Sequence, residues 1–166
     1  MGTTKQPAGA PMRFGYDELT GSFGQIWPVH VEHFTELLIA LRREFGGDLD
    51  RMLVMGVIGL RTLPRRRVEG RSYTEFQAGQ FAAQAMPINV QSIADTTGIP
   101  RETVRRKVAE LEAAGLVERE NGGHLVVTPR AREVLAPATQ ATMRYLVAVG
   151  AACVAATDSA SGQVNT

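Results

Sequence analysis

Little in this chain of 166 residues invites chemistry. A single cysteine, Cys153, excludes an intrachain disulfide framework and suits a reducing compartment. Among apolar neighbours it reads as a small buried packer rather than a redox switch. There are three scattered histidines, no glycine-rich phosphate loop and no nucleophile paired with a base, so no enzyme is expected. The longest apolar run, residues 146–156, is too short to span a bilayer. No charged stretch leading into an apolar core stands at the start, so no secretory leader is expected. The expectation is a cytoplasmic protein without cofactor and without a membrane partner. Lysine occurs only at Lys5 and Lys107, a bias that carries no functional argument. Net charge is nearly absent too, at +1, so bulk electrostatics does not announce a nucleic-acid binder.

The charge is nevertheless segregated. Residues 101–107 hold four bases and one acid, whereas residues 110–120 are rich in acid. The basic cluster sits in the most strongly patterned stretch, residues 89–128. Asn89 can cap a short helix that buries Val90, Ile93 and Ala94 at helical spacing. Gly98 suits a positive φ after that helix, and Pro100 has its φ preset for starting the next. The second helix turns Val104, Val108 and Leu111 inward and Arg101, Glu102, Arg105 and Arg106 outward. It ends at Gly115, with Leu116 as the apolar partner of its cap. Residues 117–119 and 125–127 then read as a hairpin around Asn121-Gly122-Gly123. Two helices, a tight turn and a hairpin make a winged helix-turn-helix, whose second helix suits a DNA major groove.

The rest of the chain frames this motif. Residues 1–27 read as a flexible tail and an irregular aromatic arm, in which Phe14, Tyr16, Phe23 and Trp27 cover either their own core or a partner subunit. Residues 28–72 form an N-terminal helical region for core and dimerisation. It holds one helix over about 28–45, with Phe34, Leu37, Leu38 and Leu41 in a stripe. A second, over about 48–63, is capped by Asp48 and is so apolar all round that it should be buried, either in this subunit or between two of them. Gly56 and Gly59 on it would allow close helix approach. A basic linker, residues 61–71, is either an extra phosphate contact or a solvated loop. Residues 73–128 form the winged domain, opening with a helix over about 73–85. Thr128-Pro129 starts a C-terminal dimerisation helix, residues 129–156, that Pro137 should kink or split. Residues 157–166 should be a frayed tail. The fold class is mainly α with a small β-hairpin.

The outward residues suggest their own chemistry. Arg101, Arg105 and Arg106 can read guanine edges through a bidentate fork or neutralise phosphates. Glu102 can accept from a cytosine amino group, although a pair with Arg106 at i, i+4 is the commoner fate. Thr103 and Lys107, nearer the edge, look like phosphate contacts. So do Gln91 and Ser92 near the first helix's N-terminus. In the wing, Arg119, Asn121 and His124 are candidates. His30, His33 and Glu36 place metal ligands on one helical turn without a cysteine, a weak pattern.

Residues 88–132, through IADTTGIPRETVRRKVAELEAAGLVER and NGGHLVVTPRA, resemble the winged helix-turn-helix of bacterial transcriptional regulators of the MarR and related types. The resemblance implies a homodimer with one recognition helix per half-site of double-stranded DNA, held by helices from both chain ends. Pro100 departs from the Ser or Thr such proteins commonly place at the recognition-helix cap. Two other classes remain open. One is a protein–protein interaction module of the same fold. The other is a sensor gated by a metal or by a small-molecule effector, with a pocket lined by Met52, Met55 and Phe34.

Overall fold

The computed structural model describes residues 15–63, 70–79, 86, 88–120 and 122–163, with side chains described as far as Asp158. The expected flexible start (residues 1–12), Phe14, the centre of the basic linker (64–69), the end of the 73–85 helix and Asn121 lie outside the described residues. Eight helices and one hairpin are found among those described: α1 Tyr16–Gly21, α2 Phe23–Glu44, α3 Leu49–Thr62, α4 Tyr73–Gln77, α5 Val90–Thr97, α6 Arg101–Ala113, β1 Val117–Arg119, β2 Leu125–Val127, α7 Pro129–Val134 and α8 Ala136–Gln163. The chain is thus mainly helical with a small antiparallel hairpin, a winged helix-turn-helix flanked by helices. It divides into two compact units, residues 37–141 and residues 1–36 with 142–166.

The winged unit is built around a core that includes Val54, Ile58, Ile93, Val104, Leu111 and Leu125. All six are essentially sealed from solvent. α3 packs against α5, α6 and β2, so one side of it is a wall of the winged core. Its burial is one-sided. Val54, Met55 and Ile58 face inward, while Leu49, Leu53 and Leu60 are exposed in the single subunit. Among the described residues nothing lies within 4 Å of the positions a Cβ would take on Gly56 or Gly59.

Local signals set the joints of this unit. The Asp48 side chain accepts from the Arg51 amide at 2.9 Å and caps α3. The Asn89 side chain accepts from the Ser92 amide at 3.0 Å and caps α5. α6 ends in a Schellman motif at Gly115, where φ is +69°. There the Leu116 amide donates to Leu111 O at 3.0 Å and the Gly115 amide to Glu112 O at 2.9 Å. The hairpin pairs Val117 with Val127 and Arg119 with Leu125. Its base is closed by one residue, Thr128. The Thr128 hydroxyl donates to Gly115 O at 2.7 Å, its amide donates to Leu116 O at 3.1 Å, and its oxygen accepts from the Ala131 amide to cap α7. The Val127 amide donates to the Thr62 hydroxyl at 3.1 Å, tying the wing to the end of α3.

Several boundaries differ from expectation. α2 begins at Phe23 and carries Pro28 inside it, where an irregular arm was expected. Phe23 and Trp27, one helical turn apart, stack with ring centroids 5.1 Å apart and supply a helical contact in that stretch. α4 stops at Gln77, and Gly79 turns the chain at φ +70°. Pro137 splits the C-terminal helix: α7 closes at Val134 and α8 starts at Ala136. The expected frayed tail is helical as far as Gln163.

In the other unit, His30 Nδ1 lies 3.0 Å from the Tyr145 hydroxyl, and its ring stacks on Phe34 at 5.2 Å. Buried side chains are few there: Ile26 and Ala156 among the described residues. Cys153 is half-buried.

Candidate nucleic-acid interface

The turn before α6 fixes where its outer face begins. Gly98 takes φ +72° and donates its amide to Ala94 O at 2.9 Å. The Thr97 hydroxyl donates to Ile93 O at 2.7 Å and accepts from the Ile99 amide at 3.2 Å, and Ile99 is buried. Pro100 then occupies the N-cap position of α6, at φ −53°, and offers no side-chain cap. Helical geometry therefore starts at Arg101. Val104, Val108 and Leu111 point wholly inward, which fixes Arg101, Glu102, Arg105 and Arg106 on the exposed side.

These four are not equivalent. Arg105 grips Glu102 with two hydrogen bonds, Nε to Oε2 at 2.9 Å and Nη2 to Oε1 at 2.6 Å. The pairing is with Arg105 at i, i+3, not with Arg106 as expected. That hydrogen-bonded arginine holds the Glu102 carboxyl below its ordinary range, and the Arg105 guanidinium is raised in turn. Arg106 reaches Glu110 only at 4.0 Å and stays exposed. Arg101 is the α6 cation with no ion pair among the described residues. Thr103 is half-buried at the margin of the face.

Lys107 departs from the expectation of a phosphate contact. It is 8% exposed, and its ammonium is ion-paired with Asp48. It also donates to both Glu110 oxygens, at 3.1 and 3.2 Å. The hydrogen bonds it donates to Asp48 and then to Glu110 raise the lysine pKa against the pull of burial. Burial pushes the Asp48 carboxyl up, but Lys107 and the Arg51 amide more than offset this and leave it lowered. The position one turn after Thr103 faces α3, which is why the lysine turns inward. Asp48 was read only as a cap; nothing local in the sequence announced its second role.

The other candidates lie around this face. Gln91 is exposed and donates to Asp95 at 2.7 Å. The Ser92 hydroxyl donates to Asn89 Oδ1 at 3.3 Å, so its amide and its hydroxyl both serve the α5 cap. In the wing, Arg119 turns back to the end of α6 and pairs with Glu112 at 2.8 Å. The exposed neighbours of Arg119 are Glu118 and Glu120. His124 is half-buried, its Nδ1 has no hydrogen-bond partner among the described residues, and its carbonyl accepts from the Glu120 amide at 2.8 Å. Gly122 and Gly123 both take positive φ beside it. Positive charge is therefore concentrated at the start of α6.

The metal pattern on α2 is dispersed. His30 turns to Tyr145 and His33 lies 3.1 Å from Glu36, and no three metal-holding side chains come together among the described residues. Of the residues expected to line an effector pocket, Met55 is buried in the core and Met52 packs against that core.

Residues 63–135 match the family of Crp-like helix-turn-helix domains, a stretch somewhat under half of the chain. The match supports a winged helix-turn-helix regulator and does not single out the MarR type. No match was found among curated proteins or among solved structures. No helix among the described residues is long and apolar enough to cross a membrane.

Proposed function

We propose that this chain is a sequence-specific, DNA-binding transcriptional regulator of the bacterial cytoplasm, not an enzyme, that acts as a homodimer. The observation that carries the reading is the exposed first turn and a half of α6, where Arg101, Arg105 and Arg106 stand outward on a helix anchored by three fully buried side chains. In this reading Arg101 reaches base edges directly, since its fork is held in no ion pair among the described residues. Glu102 and Arg105 enter the groove as a pair, and Arg106 takes a phosphate or a guanine. Thr103, Gln91 and Ser92 flank the backbone. Arg119, His124 and Asn121 bring the wing against the backbone or minor groove, with Gly122 and Gly123 allowing close approach. Lys107 is left out of this set.

The homodimer is supported by the unit formed by residues 1–36 and 142–166. Trp27, Val31, Leu146, Val147 and Val154 are exposed there, and the described part of α8 beyond residue 142 has just two charges, Arg144 and Asp158. A helix so poor in charge belongs in an interior, and apolar exposure on this scale marks an association surface. A protein-binding role for α6 itself draws no support, because none of the exposed large hydrophobic residues lies on that helix.

Selection of bound sequences from a random duplex pool with purified full-length protein tests the reading. A two-fold symmetric site, with affinity falling steeply as salt rises, is the expected result. Recovery of no preferred sequence, with a salt-insensitive signal, overturns it.

A further inference from the structure

The outer face of α3 plays no part in the winged core or in the proposed DNA contact, yet it is strongly patterned. Leu49, Leu53 and Leu60 are 52%, 46% and 68% exposed, and nothing lies within 4 Å of the position a Cβ would occupy on Gly56. Their spacing of four, three and four residues confines them to an arc of about 60° over three helical turns. This is the seam spacing of paired helices, and it lies on the side of α3 opposite the buried Val54, Met55 and Ile58. Asp50 and Arg61 stand together on one flank, about 90–110° around from the seam's centre. Both are exposed, and neither has an ionic partner among the described residues.

We propose that this face binds the same face of a second copy of the chain, with the two α3 helices antiparallel. Reversing the seam onto itself sets Leu53 of each copy opposite Gly56 of the other, a large side chain against an open position, twice over. Leu49 meets Leu60 at both ends. The same reversal brings the Asp50 flank of one copy to the Arg61 flank of the other, at nearly the same height, so each acid meets a base. A parallel pair does neither. It stacks Gly56 on Gly56, leaving a void between the helices, and it turns the two charged flanks away from each other. Self-complementarity under a two-fold axis is what an isologous interface requires. The surface belongs to the winged unit itself, so it joins winged units directly.

Site-specific cross-linking of the full chain tests this. In a Cys153→Ser background, Leu49→Cys and Leu60→Cys are prepared separately, both positions being exposed, then treated with a short bis-maleimide alone and mixed. Antiparallel pairing gives several-fold more covalent dimer in the mixture than in either sample alone. Self-cross-linking of a single variant as efficient as that of the mixture, or no cross-linking in any sample, overturns the proposal. Sedimentation adds a second arm. Leu53→Glu should lower the average mass, and Asp50→Arg should weaken association until Arg61→Asp restores it. A mass unchanged by Leu53→Glu also overturns the proposal.

Discussion

Lys107 of α6 and Asp48 of the α3 cap form an ion pair at the edge of the winged core, so the residue that starts α3 also holds α6. Asp48→Asn keeps a capping side chain but removes the charge. It should cost about 1–2 kcal/mol of stability near neutral pH, less than for a fully buried pair, because Glu110 still faces the ammonium. The folded carboxyl titrates below its ordinary 3.8, so its contribution is present above that value and fades as pH falls through the folded pKa. Urea unfolding of both proteins between neutral and acid pH should show the gap closing on the acid side.

Lys107→Met separates structure from DNA contact. The variant should lose stability, yet its folded form should bind DNA with the salt dependence of the parent, since this ammonium neutralises Asp48 and Glu110 rather than phosphate. A salt slope shallower by about one unit would instead make it a phosphate contact.

Arg101→Ala should cost about 1–3 kcal/mol of affinity for the selected site and relax the preference at one base pair. Competition anisotropy with single-base variants of that site measures both. Loss of affinity spread evenly over all sequences would place Arg101 on the backbone.

Glu102→Gln releases the Arg105 fork from its double hydrogen bond. Non-specific binding should tighten and the salt slope steepen by about one unit, while discrimination between sites narrows. Titrations of random duplex across a salt series show whether it does.

Two glycine substitutions should act in opposite directions. Gly115→Ala forces a side chain into φ +69° and places its Cβ 3.2 Å from Arg130 Cδ, for a loss of about 1–2 kcal/mol in unfolding experiments. Gly56→Ala sits in an ordinary exposed helix with nothing near it, and should stabilise the isolated chain by roughly 0.5–1 kcal/mol. It should also weaken the association proposed for α3.

The winged motif was readable because its signals are local. Asn89, Gly98, Gly115 and Thr128 each act on amides or carbonyls within a few residues, and the inward stripe of α6 follows from helical spacing alone. What sequence could not give were pairings made across the fold. Lys107 resembled its arginine neighbours until α3 was seen to carry an acid opposite it, and Arg119 looked free until Glu112 was placed beside it. Composition alone could not divide α3. Uniform apolarity suggested burial within the subunit or between two, and the fold shows which side is core. Pro28 misled, because the helix begins before the proline and runs through it.

The triple use of Thr128 has a practical consequence for engineering. With its hydroxyl and amide sealing the hairpin's base to residues 115 and 116, and its oxygen starting α7, the strands are clamped at their foot independently of the Glu120–His124 hydrogen bond near the tip. Extra residues spliced between Arg119 and Leu125 should therefore leave the core intact, since lengthening a loop costs little once its ends are held. The wing can be treated as a replaceable cassette: a longer or more basic insert changes reach, and a fluorophore placed there reports DNA arriving, while Thr128→Val would loosen the mount itself.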